Sequence, residues 1–600
     1  MSSKNHLPFS SLRLTGPTSR PFVSPMIKVN QVGYLPRIPK VALVTGANPA
    51  TEFTLRRVDG TVAFSGKLSG AVDDPQSGDK VQAADFSAWQ TPGKYYIDVP
   101  GIGRSWEFSI TADVYARVFY LAMRSYYSQR CGTAVDLGSE APGYKHGACH
   151  LKGAWHGSSG KAGPRASAKG WHDAGDYGRY VVNSGITTGT LLWTYEMFPN
   201  YIKNVSLNIP ESGNAMPDML NEIKWNLDWM LSMQDDDGGV WHKQTSEKFC
   251  GSIMPERDDL ISFVIGTGQE PYKSSCATGD FAAVLAIAAR IYKPFQPQYA
   301  NQCLCAAMRA YSWLEKNPAV QFNNPPGVLT GLYGDTNCVD ERLWAAAELM
   351  RTTGQEIYAK SFKEHYVDIK NSIRAAGPWY RRNVAKLWSA LLGARRNTET
   401  AAIIRYPQNW RNVANLGLWS YVLGEGPDTQ TAAVIREASL IAADEIVIRT
   451  TTAGYRNSMT AGDYMYGSNG VAANYGMQLL IANALRNDRR YVQTALDNLH
   501  YLLGRNPFSM SYVTGVGLNS PRHPHHRPSI ADGIDQPWPG LLVLGPNIHR
   551  EDPITRAKVP AGVPPARAYI DHQGAYSVNE VAINCNAPLV FLLAGVANGD

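Results

Sequence analysis

The apolar periodicity of this 600-residue chain changes once, near residue 112, and that change limits the possible fold more than any other feature. Between Lys28 and Ile110 the pattern is short β-rich runs: Lys40–Val44, Phe53–Val58, Thr61–Leu68, Lys80–Ala88, Lys94–Val99 and Trp106–Ile110. Asp59-Gly60 and Pro92-Gly93 supply turns between them. With Val29–Tyr34 as a first strand, about seven strands in roughly 85 residues predict an antiparallel sandwich of immunoglobulin type. After Thr111-Ala112-Asp113 the spacing turns helical and remains so.

Helices are predicted over Val114–Arg130, Phe281–Tyr292, Glu341–Thr353, Thr431–Ile446, Val471–Arg486 and Tyr491–Leu503, several closed by a glycine such as Gly354 or Gly504. Ala282–Ile291 and Gly476–Ala484 are apolar on more than one face. They are therefore expected between other helices, as in a toroid whose inner ring is wrapped by an outer one. The expected organisation is a β-sandwich over residues 27–112 and an all-α domain over 113–600. Residues 1–26, crowded with Ser, Pro and Thr and lacking an apolar centre, read as a disordered leader.

Composition narrows the function. A net charge of +6 without a long Lys/Arg run gives no nucleic-acid footprint. No uninterrupted apolar stretch approaches the ~18–20 residues of a membrane span, so no membrane partner is expected. Eight cysteines are too sparse for a disulfide scaffold in a chain this long, and reduced thiols or a metal site fit better. Fifteen Trp and 31 Tyr make rings for sugar stacking plentiful, although most serve a core.

Three segments carry chemistry. Gly170-Trp-His-Asp-Ala-Gly-Asp-Tyr-Gly-Arg-Tyr180 sets Asp173 and Asp176 around a glycine, where both carboxylates can face one site; a turn with an N-cap aspartate fits the same residues. Glu580 precedes an apolar run, so it can be semi-buried with the raised pKa of a general acid, or be a first-turn helix glutamate. Between them lies the long loop Ser511–Pro546, dense in imidazole and guanidinium at His523, His525, His526 and Arg527, groups able to hold hydroxyls. Cys131, Cys149, His150 and His172 provide two thiolates and two imidazoles, the donors of a closed zinc site; a Cys131–Cys149 disulfide is the alternative.

Taken together these segments resemble glycoside hydrolase family 9, from Val29-Asn-Gln-Val-Gly-Tyr34 to Asn586-Ala-Pro-Leu589. The resemblance implies an immunoglobulin-like domain followed by an (α/α)6 barrel, and an inverting endo-β-1,4-glucanase acting on cellulose-like or mixed-linkage β-glucan. An exo-acting relative that releases glucose, cellobiose or glucosamine from chain ends is the other reading. By resemblance Asp176 is the general base, Asp173 its helper and Glu580 the general acid. His525, Arg527, Asp571, Trp241, His242 and Tyr466 fall among substrate-contacting segments, with Tyr466 standing where the family more often has Trp. For His242 a hydrogen-bonded core position is the alternative. The resemblance also favours structural zinc on the Cys/His set. It suggests calcium at Asp335, Asp340 and Glu341, which a solvated helix start explains nearly as well. A monomer, secreted or periplasmic, is expected, with the cytoplasm left open because no export signal is visible.

Overall fold

Alternating burial along the N-terminal strands closes a two-layered core. The computed structural model describes residues 23–46, 49–375, 398–425 and 428–597. Ten strands run from β1 (Ile27–Lys28) and β2 (Gly33–Tyr34) through β3 (Val41–Thr45), β4 (Glu52–Arg57), β5 (Val62–Lys67), β6 (Val72–Asp74) and β7 (Asp79–Asp85). They end with β8 (Gly93–Val99), β9 (Gly103–Arg104) and β10 (Phe108–Ile110). One sheet has the order β1-β3-β7-β6; the other is β2-β10-β8-β4-β5, with β9 beside β8. Tyr34, Phe53, Leu55, Phe86, Ile97 and Phe108 fill the space between them, each large apolar side chain stabilising by about 2 kcal/mol. Of the first strand expected over Val29–Tyr34 only Gly33–Tyr34 is a strand, because Asn30 turns the chain by accepting the Val32 and Gly33 amides. The leader expected over 1–26 lies outside the described residues up to residue 22. Residues 23–26 are part of the fold, for Val23 bridges Arg104 and the Ser24 amide donates to Arg104 O.

The helical domain is built from pairs. In chain order its main helices are α1 (Ala116–Ser128), α2 (Val181–Met197), α3 (Asp218–Ser232), α4 (Ser275–Tyr292), α5 (Pro297–Lys316) and α6 (Val339–Thr353). They continue with α7 (Glu356–Ala375), α8 (Ala414–Leu423), α9 (Thr429–Thr452), α10 (Ser468–Leu485), α11 (Arg489–Leu502) and α12 (Ile583–Ala597). The even-numbered helices are buried nearly all round. Odd-numbered ones such as α5 and α9 bury one face, so they wrap the inner set. The inner contacts run α10 to α12, α12 to α2, α2 to α4, α4 to α6 and α6 to α8, while α9 touches both α8 and α10. Among the described residues, α4 alone has the length and apolarity to cross a membrane, and 94% of it is buried within the fold.

The domains are joined by polar contacts. Lys28 Nζ donates to Pro507 O at 2.8 Å, Gln31 Nε2 donates to Ser509 O at 2.9 Å, and Arg567 forms an ion pair with Asp79 at 2.7 Å. The loop Ser511–Pro546 is thereby tied to the sandwich at its beginning.

One thiol expectation is corrected. Cys276 and Cys338 form a disulfide that links the N-terminal ends of α4 and α6. It is fully enclosed and joins residues 62 apart in sequence, a pairing that spacing cannot reveal.

Candidate active site

The loops that precede the inner helices meet at one end of the ring. Asp173 and Asp176 lie before α2, Lys243 before α4, Tyr333 before α6, Trp410 before α8, Tyr466 before α10 and Glu580 before α12. Backbone hydrogen bonds stitch three of these loops together: Ile583 N–H to Asp173 O, Arg527 N–H to Gly175 O and His525 N–H to Asn579 O, all at 2.8–3.1 Å. Gly175 is required by close approach, since a Cβ there would come within 2.0 Å of His525 O.

Asp173 is fully enclosed. Its Oδ1 accepts from Asn183 Nδ2 and its Oδ2 from Tyr333 Oη, both at 2.6 Å. Burial first, then the charge of Asp176, holds its pKa well above the usual carboxylate range. Asp176 accepts from the Gly178 amide at 3.1 Å and borders a small recess walled by Tyr177, Phe249, Cys250 and Thr330. Glu580 is half-buried and accepts a hydrogen bond from Tyr466 Oη. Desolvation pushes its pKa up to about 7, with Tyr466 opposing and Asp176 assisting. The site therefore pairs a carboxyl that holds its proton near neutrality with two other carboxyl groups, the arrangement that acid/base hydrolysis needs.

The structure sorts the remaining expected contacts. His525 is turned by Nδ1, 2.7 Å from Gln573 O, and is partly open. Tyr466 is 45% exposed. Four others are engaged by the protein itself, and of these Arg527 also lines the recess beside Asp176. Trp241 is buried, its Nε1 donating to Ser159 O at 3.1 Å. His242 is buried and stacked on Phe322 at 3.8 Å, with its ring nitrogens on Ser274 Oγ and Leu332 O; burial drops its pKa to about 3. The guanidinium of Arg527 is taken up by the carbonyls of Gly175 and Cys250. Asp571 accepts the amides of Arg522 and His523 and the side-chain amide of Asn579, bracing the histidine loop.

Spacing gave no hint of Asn183 or of the role of Tyr333, which is 160 residues from Asp173 in sequence. Trp410 packs edge-on against Tyr333 at 5.0 Å. Lys243 is buried beside them and donates to Asn324 Oδ1, Thr330 Oγ1 and Gly331 O, fixing the loop that presents Tyr333. Its pKa is lowered to about 7, first by desolvation, with Asp176 opposing.

The ligand atoms of Cys131, Cys149, His150 and His172 all lie within 4.8 Å of one another, and both cysteines are free thiols. His150 Nε2 is held at 3.2 Å by Asp258 Oδ2, while its Nδ1 is buried without a partner. That orphaned nitrogen, two thiols and His172 form a donor set suited to a tetrahedral metal ion. The calcium expectation fares differently. Asp340 Oδ2 accepts the Val413 amide, Asp335 Oδ1 accepts the Asn337 amide, and Glu341 is fully buried. Among the described residues these three do not by themselves form one close ligand group, but the remaining Asp335 Oδ2, both Glu341 oxygens and both oxygens of neighbouring Asp280 are buried without a partner, hard oxygen donors of the kind a calcium ion takes.

Comparison with known proteins agrees with this architecture. Residues 115–593 match the model of glycosyl hydrolase family 9, and residues 23–104 match that of the cellulase N-terminal ig-like domain. The chain is 38% identical to endoglucanase D of Acetivibrio thermocellus over 577 residues, 95% of this chain and 83% of that protein. It is 34% identical to a cellodextrinase of Butyrivibrio fibrisolvens over 579 residues, 95% and 99% of the two chains. The crystal structure of a Zn-binding triple mutant of the family 9 endoglucanase J30 superposes with a TM-score of 0.81 at 35% identity, covering 94% of this chain and 99% of that one.

Proposed function

Because the chain belongs to glycosyl hydrolase family 9, we propose that it is an inverting endo-β-1,4-glucanase with Glu580 as general acid and Asp176, helped by Asp173, as general base. The observation that carries this reading is the meeting of Glu580 with the Asp173/Asp176 pair in one cluster, with the Ile583 amide bonded to Asp173 O. Glu580, protonated up to about pH 7, delivers its proton to the departing glycosidic oxygen. Asp176 takes a proton from a water on the opposite face of the sugar, and Asp173 helps hold that water. Inversion requires room for this water, a carboxyl separation of about 6.5–9.5 Å.

We assign zinc to Cys131, Cys149, His150 and His172. Bound there, it supplies structural bracing, for two thiolates and two imidazoles leave no position for an activated water. His172 directly precedes Asp173, so the ion steadies the loop that carries the base pair.

Proton NMR of the first product formed from a defined cello-oligosaccharide tests the mechanism. The α-anomer is expected; a β-anomer overturns inversion. The similarity to a cellodextrinase supports exo action as a second reading. Loss of carboxymethylcellulose viscosity per reducing end released separates the two, because an exo enzyme leaves viscosity almost untouched.

A further inference from the structure

We propose that Tyr466 is a positioning residue that sets the proton affinity and orientation of Glu580, rather than serving chiefly as a sugar platform. The proposal rests on the assignment of Glu580 as general acid.

The contact between the two side chains is built by the fold. Tyr466 lies on the short segment before α10, and Glu580 on the segment before α12. Both are pinned to the same extended run, Val543–Gly545. From one side, the Asn469 amide donates to Leu544 O at 2.9 Å and Asn469 Nδ2 to Val543 O at 2.8 Å. From the other, the Leu544 amide donates to Glu580 O at 2.8 Å and the Gly545 amide to Val578 O at 2.8 Å. Gly545 must be glycine, since it is left-handed at φ +90° and a Cβ would lie 2.4 Å from the Asn469 side chain. Gly467, at φ +86°, turns the chain directly after Tyr466, with Cys585 Sγ 3.5 Å from where its Cβ would be. The phenol is thereby delivered to Glu580 Oε2 from a frame that does not depend on substrate.

A hydroxyl that donates to a carboxyl oxygen stabilises the ionised form. Several groups act on Glu580: Asp176 and Arg527 through charge, Asp173 and Cys585 from the floor, and Tyr576 from the rim. His525 lies on the paired strand. Among the described residues Tyr466 supplies the side-chain hydrogen bond to the carboxyl, beside the backbone amide of Gly175. It counters the desolvation that raises the pKa. Without the phenol the acid would hold its proton to higher pH and would give it up less readily.

The test is the pH dependence of kcat/KM for the full chain on a soluble cello-oligosaccharide, wild type against Tyr466→Phe. The alkaline limb is expected to move up by about one pH unit, together with a fall in kcat on the acid side of the profile. A ring serving only as a platform is kept by Phe, so KM and the limb would both stay in place, and that result overturns the proposal. Glu580→Gln, assayed on carboxymethylcellulose and on 2,4-dinitrophenyl β-cellobioside, tests the underlying assignment separately. A general acid is dispensable for the activated aryl leaving group. If Glu580→Gln loses both substrates equally or neither, the acid assignment fails and this proposal with it. If it loses only the polysaccharide while the Tyr466→Phe limb stays fixed, the tyrosine proposal alone fails.

Discussion

Tyr333 donates its hydroxyl to Asp173 Oδ2 at 2.6 Å, while Asn183 occupies Oδ1 at the same distance. The helper carboxyl is thus fixed at both oxygens, by Asn183 on α2 and by Tyr333 on the loop before α6. Removing one donor leaves a buried oxygen unpaired, which costs about 1–3 kcal/mol. Tyr333→Phe is expected to lower kcat on carboxymethylcellulose about 10-fold or more, with KM within about 3-fold of wild type. Steady-state kinetics on the purified variant decide it, and a wild-type kcat would remove Tyr333 from the water-holding group.

Glu580 makes stability depend on pH in a direction opposite to that of most carboxylates. Its pKa in the fold is about 7, above the ordinary 4.5, so the folded chain binds this proton more tightly than the unfolded chain does. The stability it contributes is complete below about pH 4.5, falls as pH rises towards 7 and is gone above that. Glu580→Gln is therefore expected to raise Tm at pH 8, by about 2 °C or more, and to change it little at pH 4. Melting curves at the two pH values check this, and an equal shift at both would contradict it. The same titration is expected to close the activity of the wild type above about pH 7.

How much could be read beforehand follows from what each residue depends on. The sandwich and half of the main helices were legible because alternation and helical spacing are local, and residues such as Phe281 and Leu285 state their burial by their neighbours' apolarity. Glu580, Asp173 and Asp176 were legible as a set because long motifs in order carry them. For Trp241 and His242 the segment pattern left the ring's surroundings open, because they depend on Trp155, Phe322 and Ser274, which come from distant parts of the chain. Tyr333, Asn183 and the Cys276–Cys338 bond depend on the closure of the ring itself, which no local spacing encodes.

The disulfide between α4 and α6 closes a loop of 62 residues that contains all of α5. Chain-entropy reasoning gives about 4 kcal/mol for a loop of that size. A Cys276→Ser, Cys338→Ser double variant is expected to unfold at lower urea concentration. Because Tyr333 lies five residues before Cys338, its activity is also expected to be lost at a lower temperature than that of the wild type. Coincident unfolding midpoints for the two proteins would show that the bond adds no stability.

The Cys/His cluster predicts a metal dependence that is structural before it is catalytic. His150 Nδ1 is buried with no partner, and Cys131, Cys149 and His172 surround it within 4.8 Å. Asp258 fixes the other nitrogen of His150 at 3.2 Å, as carboxylates behind metal-ligating imidazoles do. Elemental analysis of the purified chain is expected to give about one zinc per chain. The metal-stripped protein should melt several degrees lower, and activity at low temperature should decline slowly as the Trp171–Asp176 loop loosens rather than stop on addition of chelator. His150→Ala should reproduce the lowered Tm. Asp258→Asn, which keeps the shape and removes the charge, should weaken zinc about 10- to 100-fold, as read by competition with a chromogenic chelator. Instant loss of activity on chelation with Tm unchanged would mean that the ion takes part in the chemistry, and full metal content in His150→Ala would exclude this ligand set.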